Sequence, residues 1–319
     1  MTTTRVAIGV DVGGTGTKAA LVDFDGRVRG RAVRPTDIAA GTKGIIAVVE
    51  DLLGRAAELK VEIGAIGVGA AGFIDAARGS VTFSPNLTYD DPDIEGALKT
   101  RTGLPVIVDN DANAAAWGEY AFGSARGCTH LALLTLGTGV GSGFVIDGRL
   151  LRGWTGAGAE LGHMVIDPDG PECPCGLRGC LEQFVGGLAI ARDARALRAD
   201  FPDSVLAGIP ESAVTAESIG RAAADYDELA MSVLQRAGRA LGIGLSNVVN
   251  LFDPEVIVLA GGVMGAGEPF LGATRDELFR MTNAQRRRPV RIDATSLGKD
   301  AGVIGAAALA IEERLGGVE

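Results

Sequence analysis

Two segments of this chain repeat one pattern, and that repetition constrains the fold more than any other feature. RVAIGVDVGGTGTKAALVDFDGRV, starting at Arg5, alternates β-branched and apolar residues around a glycine-rich break and an Asp25-Gly26 pair. HLALLTLGTGVGSGFVIDGRL, starting at His130, does the same: Gly137-Thr138-Gly139 echoes Gly14-Thr15-Gly16, and Asp147-Gly148-Arg149 echoes Asp25-Gly26-Arg27. Period-two alternation bounded by Gly and Asp-Gly predicts strand, turn, strand, turn, strand in each case. Recurrence in the same order predicts two related halves.

The intervening sequence predicts helices. One runs from about Asp37 to Leu59, a short one lies near residues 94–102, and PVIVDND reads as a strand entering the helix ANAAAWGEYAFG. IGAIGVGAAG and EVIVLAGG read as buried strands, the chain after Cys180 is largely helical, and AGVIGAAALAIEERL closes it as a helix. Interleaved strands and helices give an α/β class with mixed sheets. With no low-complexity linker to mark a boundary, pattern alone places hinges near Asn113–Trp117 and Lys299–Gly302. Those hinges divide the chain into residues 1–115, 116–300 and 301–319.

At 319 residues and 47% hydrophobic, the chain is long enough for two such domains. Its formal charge of -10 repels a phosphate backbone, and the one basic run, Arg286-Arg287-Arg288, has no aromatic residues interleaved. Nucleic acid is excluded as an expected partner. The first apolar run meets Asp11 before it could serve as a signal sequence, and no eighteen apolar residues run uninterrupted. Those features predict a cytoplasmic protein without a membrane anchor.

Three of the four cysteines, and one of the two histidines, crowd into GHMVIDPDGPECPCGLRGCLEQ, residues 162–183. In a reducing compartment such clustering points to metal rather than to disulfides. His163, Cys173, Cys175 and Cys180 supply one imidazole and three thiolates, the donor set of a tetrahedral zinc. Four protein ligands close the site, so the expected zinc is structural, not water-activating.

The glycine-rich turns need a chemical reason of their own. DVGGTGTK and TLGTGVGSG end strands in small residues whose backbone N–H groups can converge on an anion, with threonine hydroxyls and Lys18 as further donors. Neither matches the Walker or dinucleotide-binding pattern. Two echoing turns, one led by Asp11 where a carboxylate can hold a water on Mg²⁺, predict phosphate binding. That assigns Asp11, Gly13, Gly14, Thr15, Gly16, Thr17, Lys18, Thr138, Gly139 and Gly141 to phosphate and metal. The pair Gly261-Gly262 would let an adenosine pack against backbone.

Taken together, DVGGTGTKAALVD, VDNDANAAAWGE, TLGTGVGSG, AELGH, CPCGLRGCLEQ and LAGGVMG resemble the ROK family of bacterial sugar kinases, and within it the glucokinases. The resemblance runs through nearly the whole chain in order. It implies an actin-like, ribonuclease H-like fold of two α/β domains with sugar and ATP in the cleft between them, and a final helix returning to the N-terminal domain. It implies Asp111 as general base and Asn110, Glu160, His163 and Glu182 as sugar ligands, with Gly72 and Asn86 also in the sugar pocket. His163 would then serve both sugar and zinc. It further implies ATP, Mg²⁺ and zinc as cofactors, glucose as substrate at the entry to glycolysis, and a homodimer or higher homo-oligomer. One departure stands out: many members place Lys directly after GGT, whereas here Gly16-Thr17 precede Lys18. The same motifs serve kinases of N-acetylmannosamine or fructose and polyphosphate-dependent glucokinases. Sugar-responsive repressors share the fold but carry an N-terminal DNA-binding domain, for which a strand beginning by Arg5 leaves no room.

Overall fold

The computed structural model describes residues 4–14, 16–39, 41–84, 87–283 and 288–316. Two positions expected in the site, Thr15 and Asn86, lie outside the described residues, as do Arg286 and Arg287.

The first repeat forms three antiparallel strands, β1 (Arg5–Val12), β2 (Gly16–Asp23) and β3 (Val28–Pro35), and α1 (Gly41–Leu59) follows. Next come β4 (Glu62–Ala70), the small hairpin β5 (Phe73–Asp75) and β6 (Ser80–Phe83), α2 (Ile94–Thr102), β7 (Val106–Asn110) and α3 (Asp111–Ala121). The first sheet has the order β3-β2-β1-β4-β7, with β4 parallel to both β1 and β7. On β1, Val6, Ile8 and Val10 enter a core with Ile45, Val48 and Leu52 of α1 and Ile94 and Leu98 of α2. The alternate residues Ala7, Gly9 and Asp11 face the other way, as strand geometry requires.

That opposite face receives the closing helix, Ala301–Leu315. A Cβ at Gly9 would lie 1.8 Å from the carbonyl oxygen of Val303, and one at Gly67 1.8 Å from that of Ala306. Gly305 in turn meets the Ala114 carbonyl of α3, where a Cβ would come within 1.7 Å. Small residues are therefore demanded by backbone approaching backbone, which explains the composition of AGVIGAAALA.

The second repeat supplies β8 (Leu131–Leu136), β9 (Val140–Ile146) and β10 (Arg149–Leu150). Asp147 and Gly148 both adopt positive φ, 50° and 71°, as a tight primed hairpin turn requires. The helices α4 (Glu182–Val185), α5 (Gly187–Leu197), α6 (Ala216–Ala224) and α7 (Glu228–Phe252) follow. Then come β11 (Val256–Ala260), α8 (Glu268–Met281), β12 (Arg291–Ala294) and α9 (Ala301–Leu315). The second sheet has the order β10-β9-β8-β11-β12.

Two compact units result. One takes the chain up to Thr129, Gly143–Ala159 and everything from Thr295; the other is His130–Ser142 with Glu160–Ala294. The division drawn on the sequence at 115/116 and 300/301 differs. α3 runs unbroken through the first of those points, and its buried Trp117 and Glu119 belong to the first unit.

α1 starts at Gly41 rather than near Asp37, for a reason the local sequence does not carry. Asp37 turns back on itself, accepting from the Ala39 N–H at 2.9 Å, while the Thr42 N–H donates to Asp90 Oδ1 at 3.1 Å. The cap comes from a distant loop.

Candidate active site

In the first unit the site is built around the N-terminus of α3. Asn110 caps the helix: its Oδ1 accepts from the N–H groups of Ala112 at 2.8 Å and Asn113 at 3.2 Å. Its amide Nδ2 donates to the Gly72 carbonyl at 3.1 Å. Gly72 has φ 128°, and a Cβ there would fall 2.4 Å from the Phe83 carbonyl oxygen, so only glycine fits beside Asn110. Asp111 is the first helical residue and its Oδ1 meets the Ala112 N–H at 2.9 Å. The capping role available to either residue thus falls to Asn110.

Two neighbours of Asp111 carry roles that the local sequence does not show. Asp109 is buried, with Oδ1 accepting from the Asn110 N–H and from Asn113 Nδ2, and Oδ2 receiving Arg152 Nε at 2.6 Å. It fixes the strand-to-helix turn from behind. Strand alternation places Asp109 on the face of β7 opposite the core residues Val106 and Val108, and a carboxylate inside the apolar run VIVDN is the signal that could have found it. Tyr89 donates its hydroxyl to the Ala71 carbonyl at 3.2 Å, and its pKa is raised by burial and then by the negative charge of Asp111. Tyr89 therefore stays a neutral donor near the carboxylate.

The first glycine-rich turn is closed by the Gly13 N–H on the Gly16 carbonyl at 3.2 Å. Asp11 pairs with Lys18 across the strands, Oδ2 to Nζ at 3.7 Å. Burial raises the pKa of Asp11 despite the opposing lysine. Gly302 leaves room for this carboxylate, since a Cβ there would lie 2.7 Å from Asp11 Cγ. The turn itself is open at Gly14, where no atom lies within 4 Å of an added Cβ. Thr17 differs from the expectation of a phosphate donor. Alternation turns it inward, it is buried, and its hydroxyl pairs with that of Thr36 at 3.1 Å.

In the second unit the corresponding turn is tighter, with the Gly137 N–H on the Gly139 carbonyl at 3.0 Å. Thr138 is exposed at its tip and Gly141 lies in β9. Gly261 adopts φ 99° directly against Leu136, where a Cβ would meet the carbonyl oxygen at 2.3 Å, and Gly262 beside it faces open space. These positions lie at the ends of the adjacent parallel strands β8 and β11.

The Cys loop folds onto itself in the same unit. The Ile166 N–H donates to the Gly179 carbonyl at 2.9 Å, and the Leu181 N–H to the Met164 carbonyl at 2.9 Å. His163 Nδ1 lies 3.7 Å from Cys173 Sγ, and Cys175 and Cys180 Sγ are 3.6 Å apart. All four donor atoms fall within 4.8 Å of one another. A tetrahedron with Zn–S legs of about 2.3 Å has edges of about 3.8 Å, so the donor set and its spacing both fit zinc. Burial raises the Cys173 thiol, and burial with the neighbouring thiols pushes Cys180 up to about 12, whereas the Leu177 N–H lowers Cys175. Metal uptake must displace those protons.

Two carboxylates flank the loop. Glu160 immediately precedes the short 3₁₀ turn Leu161–His163; its pKa is raised by desolvation in this crowded corner, opposed by His163 and reinforced by Glu182. Glu182 begins α4 and reaches the second glycine turn, its Oε2 accepting from the Val140 N–H at 2.8 Å. His163 turns Nδ1 to Cys173, and its Nε2 makes no hydrogen bond among the described residues.

Known proteins match this chain over nearly its whole length. The ROK family profile matches residues 7–313. Glucokinase from Thermotoga maritima is 38% identical over 97% of this chain and 98% of its own length. Glucokinase from Streptomyces coelicolor is 37% identical over 96% and 98%. The crystal structure of a ROK family glucokinase from Streptomyces griseus in complex with glucose and AMPPNP superposes with a TM-score of 0.82 at 37% identity, covering 96% of this chain and 99% of that one. The fold is the actin-like ATPase fold of those kinases, and the chain belongs to the ROK family.

Proposed function

We infer that this protein is an ATP-dependent glucokinase, transferring the γ-phosphoryl group of ATP to the 6-hydroxyl of glucose to give glucose 6-phosphate and ADP. The observation that carries the catalytic assignment is the division of roles at α3: Asn110 caps the helix, so the Asp111 carboxylate beside it is not needed for capping. Phosphoryl transfer asks a protein mainly to position groups and neutralise charge. Asp111 accepts the proton of the sugar's primary hydroxyl as that oxygen attacks phosphorus. Sugar-binding roles fall to Gly72 and Asn110 in the first unit and to Glu160, His163 and Glu182 in the second. Carboxylate acceptors paired with adjacent hydroxyls give orientation as well as affinity. Backbone N–H groups of the turns at Gly13–Gly16 and Gly137–Gly139 hold the phosphates, with Lys18 as a further donor. Gly261-Gly262 gives the adenosine its close approach.

Mg²⁺ would be held through water by Asp11 and would neutralise phosphate charge. Zinc at His163, Cys173, Cys175 and Cys180 would be structural, fixing the loop between Glu160 and Glu182. The family likeness extends the reading to a homodimer or larger homo-oligomer working in the cytoplasm on glycolytic sugar. No helix among the described residues is long and apolar enough to cross a membrane.

A coupled assay over glucose, mannose, fructose and N-acetylmannosamine, each with ATP and with polyphosphate, tests this reading. The expected result is the highest kcat/KM with glucose and ATP. Higher kcat/KM with another sugar, or with polyphosphate, overturns the assignment.

A further inference from the structure

Glu182 does something a sugar ligand alone has no need to do. Its Oε2 accepts from the Val140 N–H at 2.8 Å, which places one carboxylate oxygen on the residue that closes the second glycine turn. The fit is tight enough to dictate sequence, because a Cβ at Gly139 would lie 2.2 Å from that same oxygen. The backbone that follows Glu182 grips the turn as well. The Gly187 N–H donates to the Gly137 carbonyl at 2.8 Å, and the Leu188 N–H to the Thr138 carbonyl at 3.3 Å. Gly186 and Gly187 permit this, since Cβ atoms there would meet the Thr138 and Gly137 carbonyl oxygens at 3.1 and 2.9 Å. The phosphate turn is thus carried on the segment that emerges from the Cys loop two residues after Cys180. Oε1 makes no hydrogen bond among the described residues.

We propose that Glu182 is a positioning residue that couples the two substrates, with Oε1 receiving the sugar and Oε2 holding the phosphate turn. This rests on the glucokinase reading and extends it. A carboxylate bridging two sites has one position that satisfies both, so sugar bound to one oxygen steadies the turn held by the other. Coupling between two ligands is reciprocal by thermodynamic necessity. A change made in the phosphate turn must therefore be felt by the sugar even when no nucleotide is present.

Gly139→Ala makes that change while every carboxylate and every sugar ligand keeps its residue type, by pressing a methyl group against Glu182 Oε2. Calorimetric titration of the whole 319-residue chain, as purified without chelator, with glucose and no nucleotide is the measurement. The added methyl displaces Oε2, and glucose affinity is expected to fall about tenfold, the scale of a hydrogen bond to a charged group. Should that variant fail to fold, Glu182→Asp replaces it. The shorter carboxylate cannot span both partners, and the ratio of glucose affinities with and without AMPPNP is expected to fall towards one. Failure of the unaltered protein to bind glucose overturns the glucokinase reading and this proposal together. Glucose binding by the unaltered protein, with affinity unchanged in a folded Gly139→Ala variant or the AMPPNP ratio unchanged in Glu182→Asp, overturns the coupling role alone.

Discussion

Asp111 and Asn110 are adjacent, both polar, and both suited by type to cap a helix, so substitution separates their roles. Asp111→Asn keeps the shape of the side chain and an oxygen acceptor but leaves a far poorer base. Since Asn110 supplies the cap, melting temperature should hardly move, while kcat falls by about 10² to 10⁴ and glucose affinity largely persists. Asn110→Ala should behave oppositely in stability, losing about 1 kcal/mol with the cap. Thermal melts and steady-state kinetics on the two variants check both halves. An Asp111→Asn variant that loses stability and activity together would make the residue structural.

Glu119, in α3, joins elements distant in the chain. Fully buried, it accepts from the N–H and hydroxyl of Ser124, from the hydroxyls of Thr295 and Ser296 and from the Leu297 N–H at 3.0 Å. Burial alone would raise its pKa, but these donors outweigh burial and hold it below the ordinary 4.5. A depressed carboxylate stabilises the fold above its unfolded pKa, and that contribution is lost as pH falls through the folded value. Glu119→Gln should therefore cost about 2–3 kcal/mol at neutral pH, because an amide NH₂ must face donors. Its deficit against the unaltered protein should shrink as pH falls below about 4.5. Denaturant melts at several pH values read this directly, and a pH-independent difference would contradict it. In the Cys loop the four donors His163, Cys173, Cys175 and Cys180 converge on one point. Elemental analysis should find about one zinc per chain, and Cys175→Ala should lower both zinc content and melting temperature. A metal-free protein purified without chelator, or an unchanged melt in the variant, would make the cluster incidental.

Across the whole molecule, what could be read from sequence was what local periodicity encodes. The closing helix falls at residues 301–315 and the short one at 94–102, as AGVIGAAALAIEERL and its counterpart predict, because apolar spacing and flanking glycines settle them. The cluster of His163, Cys173, Cys175 and Cys180 was equally legible, since its members lie within one short loop. Long-range pairings were not. The start of α1 depends on Asp90, the backing of Asp111 on Arg152 reaching Asp109, and the anchorage of α3 on Thr295–Leu297 reaching Glu119. The unit boundaries escaped for a related reason: the chain crosses between units at 129/130, 142/143, 159/160 and 294/295, once inside a strand, with no linker composition to mark any crossing. Phosphoryl transfer to the 6-hydroxyl is read without a coupling enzyme by phosphorus-31 NMR of the purified protein with glucose, ATP and Mg²⁺. Glucose 6-phosphate and ADP should accumulate in equal amounts. ATP consumed to ADP and inorganic phosphate without a sugar phosphate, or a phosphate on any other hydroxyl, would contradict it.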